Sequence, residues 1–99
     1  MQQFMVTMQC PRVLTETFIG LIPQQRAKVV ELMARGSLTS YSLSHDRATL
    51  WATMAASSED EVRDLLNQFP LTAFMDSVVI QPLMFHNSLN WSLPQFSLN

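Results

Sequence analysis

Along this chain the apolar residues switch between a two-residue and a helical spacing, and the order of the switches limits the folds open to it. Gln2 to Cys10 alternates, with Phe4, Val6, Met8 and Cys10 on one face and Gln3, Met5, Thr7 and Gln9 on the other. That is the period of a strand, and Pro11 ends it. Leu14 to Gly36 is helical in spacing, with Thr15 placed to cap it and Phe18, Ile19 and Ile22 on one face. Pro23 lacks an amide donor, so a kink or break is expected there. Beyond it Val29, Val30, Leu32 and Met33 are expected to turn inward, and Gly36 stops the helix.

Ser37 to Ser44 (SLTSYSLS) reads as a second, weakly amphipathic strand, and Ala48 to Ala56 (ATLWATMAA) as a third, joined into a hairpin by His45-Asp46-Arg47. Ser58-Glu59-Asp60-Glu61 has the form of a capping box, in which the serine caps the first turn and Glu61 reaches back to it. Val62, Leu65, Leu66 and Phe69 follow at i, i+3, i+4 and i+7, and Pro70 ends this helix. Ala73 to Phe85 reads as a long final strand, in which Pro82 requires an edge position or a bulge. The order is β-α-β-β-α-β, an α+β, ferredoxin-like split βαβ sandwich with helices on one face of the sheet. Residues 1–86 are expected to form this domain. The tail 87–99 holds Leu89, Trp91, Leu93, Phe96 and Leu98. Disordered tails are depleted in such residues, so it is expected to pack on the domain or on a neighbouring subunit.

Composition bears on assembly. Hydrophobic residues make up 47% of the 99 residues and charged residues 14%, against a usual charged share of about 25%. One thin core leaves part of that apolar surface over. Alternation assigns Met5, Thr7, Trp51, Thr53, Met75 and Val79 to the sheet face away from the helices, so two sheets are expected to pack face to face as a homodimer, a dimeric α+β barrel, with higher oligomers open. The formal charge of −2 comes without a basic stripe, so nucleic acid is not an expected partner. Cys10 is the single cysteine, which fits a reducing compartment. No signal-peptide pattern or membrane-length apolar run is present, so a cytoplasmic protein without membrane contact is expected. Cys10, His45 and His86 lack metal-ligand spacing, and two glycines cannot make a phosphate-binding loop. No metal or cofactor is expected.

Asp76 follows Phe74 and Met75 and precedes the apolar Val78-Val79-Ile80. A carboxylate in such surroundings tends toward a raised pKa, as a general acid or base requires; the alternative is a strand-start residue tied to the backbone. His45 beside Asp46 is a candidate base with a carboxylate partner, but neighbours at a strand end point apart, and a polar turn is the commoner arrangement. Tyr41, the only tyrosine, is a candidate to hold an oxyanion or to bond across the sheet. Phe74, Met75, Trp51, His86 and Arg35 complete the candidates for contact with a small-molecule ligand.

The run Leu66-Asn67-Gln68-Phe69-Pro70-Leu71, followed by Phe74-Met75-Asp76, resembles the Leu-x-Gln-Leu-Pro-Leu-x-x-Tyr-Met-Asp segment of muconolactone isomerases. The likeness runs from the helix before Gly36 to about Val79, a little under half of the chain, and Gly36 matches the family's glycine before the second strand. The resemblance implies a small, cofactor-free, ferredoxin-like enzyme that assembles through dimers and moves a double bond in a carboxylate-bearing lactone. Such a reaction needs a base, an acid and a cation for the carboxylate; Asp76 matches the family's aspartate. Where the family's first helix is rich in lysine and glutamate, this chain has Ile22-Pro23-Gln24-Gln25, and Leu38-Thr39 replace the tryptophan and arginine that open the second strand. Muconolactone itself is therefore expected to be a poor substrate; Arg26 or Arg35 could substitute for the missing cation, and rapid turnover of muconolactone would require one among Arg26, Arg35 and Arg47. A non-catalytic small-molecule-binding relative is the alternative, and a cofactor-free monooxygenase or decarboxylase using His45 or His86 is a third reading.

Overall fold

The computed structural model describes residues 1–88. One antiparallel sheet in the order β2-β3-β1-β4 is built from β1 (Gln2–Gln9), β2 (Leu38–Leu43), β3 (Thr49–Ala56) and β4 (Ser77–Pro82). Helices α1 (Glu16–Ala34) and α2 (Glu59–Leu66) cover one face. The element order and the ferredoxin-like α+β class are those read from the spacing. Phe4, Val6 and Met8 of β1, Leu50, Ala52, Met54 and Ala56 of β3, and Ile80 of β4 turn to the helices. They meet Leu32, Val62, Leu65, Leu66 and Phe69 in one core.

Each helix is bounded as its sequence directs. The Thr15 hydroxyl accepts from the Phe18 amide at 3.1 Å. At the other end the Gly36 amide donates to Met33 and the Ser37 amide to Leu32, with Gly36 at φ 80°. These two bonds make a Schellman stop, which glycine closes without Cβ strain. Ser58 caps α2 through the Glu61 amide at 3.2 Å. The Glu61 carboxylate reaches one residue further than a capping box requires, taking the Ser57 amide at 2.6 Å and its hydroxyl at 2.8 Å. These bonds hold the carboxyl of Glu61 below its ordinary pKa.

Several boundaries and faces depart from the sequence reading. Helix α1 runs unbroken through Pro23. Pro23 is exposed, so the Ile19 carbonyl that its missing amide would have served stands on the solvent side and water can satisfy it. The buried seam of α1 is narrow. Phe18, Gln25 and Leu32 are buried and Ile22 and Val29 half-buried, a 4-3-4-3 spacing. Ile19, Val30 and Met33, expected inward, are exposed. Helix α2 ends at Leu66, before Phe69 and Pro70, and the long final strand is instead a single 3-10 turn, Thr72–Phe74, followed by the shorter β4. The Thr72 hydroxyl donates to the Leu66 carbonyl at 2.7 Å and fixes that turn. Pro82 lies, as expected, on an edge strand.

The open sheet face is less apolar than the alternation implies. Met5 is half-buried and Trp51 and Val79 are exposed, forming an apolar strip among Gln, Ser and Thr. Thr53 is buried instead, with Thr39 and Ser40 hydroxyls at 2.7 and 2.6 Å. Met75 lies on the opposite side, against the core. Among the described residues no helix is long and apolar enough to cross a membrane. Trp91, Phe96 and the rest of the tail from residue 89 onward lie outside the described residues.

Candidate functional site

A bulge in β2 makes the site possible. Leu38 pairs with Met54 and Ser40 with Thr53, leaving Thr39 as an extra residue. Strict alternation from a buried Leu38 would send Tyr41 to the open face. The bulge resets the parity, so Tyr41 pairs with inward-facing Ala52 and Leu43 with Leu50, while Ser40 and Ser42 face outward. Bulges recur beside functional sites because they re-aim a side chain in this way.

Tyr41 then stands under α1, at the wall of a cavity of about 660 Å³. Apolar walls come from Leu14, Phe18, Ile22 and Val29 of the helical side and Leu50, Leu71 and Met75 below. Its polar groups are few and convergent: Tyr41, Gln25, Cys10, Arg26 and Arg47. A more open groove of about 840 Å³ lies at the other end of the sheet, lined by Met1, Gln2, Gln3, Ser57, Leu83, Met84 and Phe85. Among the described residues it has no titratable side chain, so the cavity under α1 is the candidate site.

Tyr41 is firmly held. Its ring stacks on Phe69 with centroids 6.4 Å apart and planes at 14°. Its oxygen accepts from Gln25 Nε2 at 3.0 Å, and Gln25 Oε1 accepts from the Leu71 amide at 3.1 Å. Gln25, 5% exposed, is a buried polar residue in the seam of α1. Burial raises the Tyr41 pKa; the Gln25 bond lowers it in part, and nearby Cys10 adds to the rise. The phenol is therefore a neutral hydroxyl across the physiological range. Burial, and secondly the Asp76 charge, also push the Cys10 thiol up.

The sequence candidates divide between the two ends and faces of the molecule. Tyr41 and Met75 line the cavity. Phe74, half-buried, backs its wall by meeting Phe18 edge-on at 5.8 Å and 87°. Asp76 is exposed, donates its amide to the Gln9 carbonyl at 2.8 Å at the head of β4, and is close enough to Cys10 to disfavour its thiolate. It stands after the 3-10 turn, so it does not share a strand face with Phe74. His45 is exposed at the hairpin tip. Its neighbour Asp46 is engaged in the turn, accepting from the Ser44 hydroxyl at 2.7 Å and the Ala48 amide at 3.0 Å. These bonds lower the Asp46 pKa. Trp51 is on the open face, and His86 lies beyond Leu83, whose amide bonds Gln3 at the sheet end opposite Cys10. Arg35 closes α1 in an ion pair with Glu31, whereas Arg26 and Arg47 reach the cavity.

Gln25 and Leu71 were missed by the sequence reading. The signal for Gln25 was present: it occupies the central position of the 18-22-25-29-32 seam, where an apolar residue belongs.

Fold and site together define an α+β protein of the dimeric α+β barrel type with an apolar, hydroxyl-bearing cavity beneath its first helix. Solved structures share that fold. A 5-chloro-2-hydroxyhydroquinone dehydrochlorinase from Burkholderia phenoliruptrix, in complex with 2,5-dihydroxybenzoquinone, aligns with TM-score 0.70 at 14% identity, covering 86% of this chain and 95% of that one. PA3566 from Pseudomonas aeruginosa aligns with TM-score 0.55 at 17% identity, covering 87% and 94%. No curated protein sequence matches. The chain belongs to the muconolactone delta-isomerase family, whose model matches residues 3–89. The kinship thus reaches well beyond the segment around NQFPLTAFMD.

Proposed function

We propose that this chain is a muconolactone-isomerase-like protein that takes a small cyclic carbonyl compound, such as a lactone, into the cavity under α1 and shifts a proton within it without a cofactor. The observation that carries the reading is the convergence of Tyr41, Arg26 and Arg47 on an otherwise apolar cavity. A hydrogen bond from Tyr41 to the ring carbonyl acidifies the adjacent C–H, because charge develops on that oxygen as the proton leaves. Asp76, beside Cys10 at the cavity edge, is the acid–base group: it takes the carbon-bound proton and returns it to the far carbon of the conjugated system. The C–H electron pair becomes the new double bond, and the old one is consumed. Arg26 or Arg47 draws a ligand carboxylate. The quinone held by the Burkholderia dehydrochlorinase, a ring with carbonyl oxygens, supports the ligand class. The assembly we propose is a homodimer joined through the Met5, Trp51 and Val79 strip, with residues 1–86 as the domain.

A second reading, a non-catalytic binder, is favoured by one observation: among the described residues none that lines the cavity is a carboxylate or an imidazole. Asp76→Asn separates the two. Following deuterium exchange from solvent into a lactone with the wild type and this variant, the enzymatic reading expects a loss of roughly two to four orders of magnitude. Exchange by the wild type no faster than in buffer, with the lactone still bound, would leave the binder. Muconolactone itself is expected to turn over poorly.

A further inference from the structure

Gln25 does more than fill the seam of α1. The Leu71 amide can only donate, and its partner is Gln25 Oε1 at 3.1 Å. The opposite placement of the side-chain amide would set an NH2 group against an N–H, so the hydrogen-bond network itself fixes the orientation. The NH2 group therefore faces Tyr41 Oη at 3.0 Å. An NH2 can only donate, so the Tyr41 oxygen must accept, and its own proton cannot point back along that line. The phenolic proton prefers the ring plane, which leaves the direction away from Gln25. Among the described residues no protein atom accepts it. The ring is pinned by its stack on Phe69, and both Gln25 and Leu71 are buried, so the three groups form one fixed relay on rigid elements.

We propose that Gln25 acts as a positioning residue that turns the Tyr41 proton into the cavity, so that the cavity selects a ligand oxygen able to accept a hydrogen bond, a ring carbonyl or the enolate formed from it. The inference rests on the reading of this cavity as the ligand site and names the group that the site recognises. One directed donor on a largely apolar wall is discriminating: an acceptor placed there gains a bond, whereas a ligand offering a donor leaves two protons facing each other.

Acetophenone is a suitable probe, being ring-sized, unreactive toward Cys10 and equipped with one carbonyl whose infrared stretch moves to lower frequency on accepting a hydrogen bond. Its affinity and bound carbonyl stretch are measured for the wild type, Tyr41→Phe and Gln25→Glu across pH. The wild type is expected to bind it with a lowered stretch at every pH below phenol ionisation. Tyr41→Phe should lose the shift at all pH values and bind roughly threefold to tenfold more weakly, the scale of one neutral hydrogen bond. Gln25→Glu should keep the shift at low pH, where a protonated carboxyl donates to Tyr41 as the amide does. It should lose the shift once the carboxylate ionises and takes the Tyr41 proton for itself. A purely structural role for Gln25 gives no such pH-dependent spectrum. If Gln25→Glu does not fold, Gln25→Met, which frees the phenolic proton to rotate, must weaken the shift. Bound acetophenone without a Tyr41-dependent shift, or with a shift indifferent to residue 25, overturns this inference alone. Failure of acetophenone to enter the wild-type cavity at all overturns it together with the cavity reading.

Discussion

Single-residue deletions in β2 separate the role of the bulge from the stability of the strand. Deleting Thr39 leaves Leu38, Ser40, Tyr41, Ser42 and Leu43 opposite Met54, Thr53, Ala52, Trp51 and Leu50, the partners they already have. The ladder becomes regular and Tyr41 stays inward. Deleting Ser42 also gives a regular ladder and keeps Leu38 opposite Met54 and Leu43 opposite Leu50. Now, however, Ser40 faces Ala52, and Tyr41 moves beside Trp51 on the open face. The two variants have the same length and the same anchors, yet they differ in which face Tyr41 occupies. Loss of Thr39 forfeits a hydroxyl bond to Thr53, about 1 kcal/mol. Loss of Ser42 removes the Tyr41–Phe69 stack, about 0.5–1.5 kcal/mol. It also orphans the buried amide of Gln25, about 1–3 kcal/mol. A domain of this size loses about 4–8 °C in Tm per kcal/mol. The expected falls are thus about 4–8 °C without Thr39 and roughly 6–36 °C without Ser42, centred near 18 °C. Because Tyr41 is the only tyrosine, an ultraviolet phenolate titration reports its surroundings directly. The raised value caused by burial should persist without Thr39 and relax toward the ordinary value of about 10 without Ser42. Equal loss of stability in the two variants, or identical titrations, would refute the register assignment.

Arg47 occupies the left-handed region at φ 64°, so Arg47→Gly should raise the unfolding free energy from urea titration by up to about 1 kcal/mol, the strain relieved less the entropy glycine adds. The same change should weaken binding of a ring carboxylate, since Arg47 borders the cavity. Trp51→Glu should dissociate the proposed dimer or unfold the chain, because a charge unpaired in a sheet-to-sheet interface is costly; sedimentation of the wild type as a monomer would end that reading. Cys10 and Tyr41 both have raised pKa values in the fold. The unfolded chain therefore ionises first, and stability should fall as pH rises above about 8.5, the ordinary thiol value. Cys10→Ser should flatten the first part of that fall in a series of thermal melts.

Periodicity in one dimension was enough for the element order. Phe4, Val6 and Met8 alternate, and Val62, Leu65, Leu66 and Phe69 recur at helical spacing, because burial on one face imposes those periods on any sequence that forms them. Caps and stops were legible for a similar reason: Thr15, Ser58 and Gly36 act on backbone groups within a few residues. What the sequence could not disclose depends on partners distant along the chain. Strict alternation cannot foresee an unpaired Thr39, since the bulge is stabilised by Thr53 on another strand, and so the face of Tyr41 was undetermined. Pro23 reads locally as a break, yet the helix continues because the solvent side tolerates the missing bond and the Phe18–Leu32 seam holds both halves on the sheet. The spacing of α1 sets Gln25 in an apolar seam, but what it bonds is seen only once the fold brings Leu71, 46 positions further on, to donate its amide to it. The candidates that meet in the cavity were brought together by the packing of α1 over β2 and β3, and a linear pattern carries no information about which side chains converge across that gap.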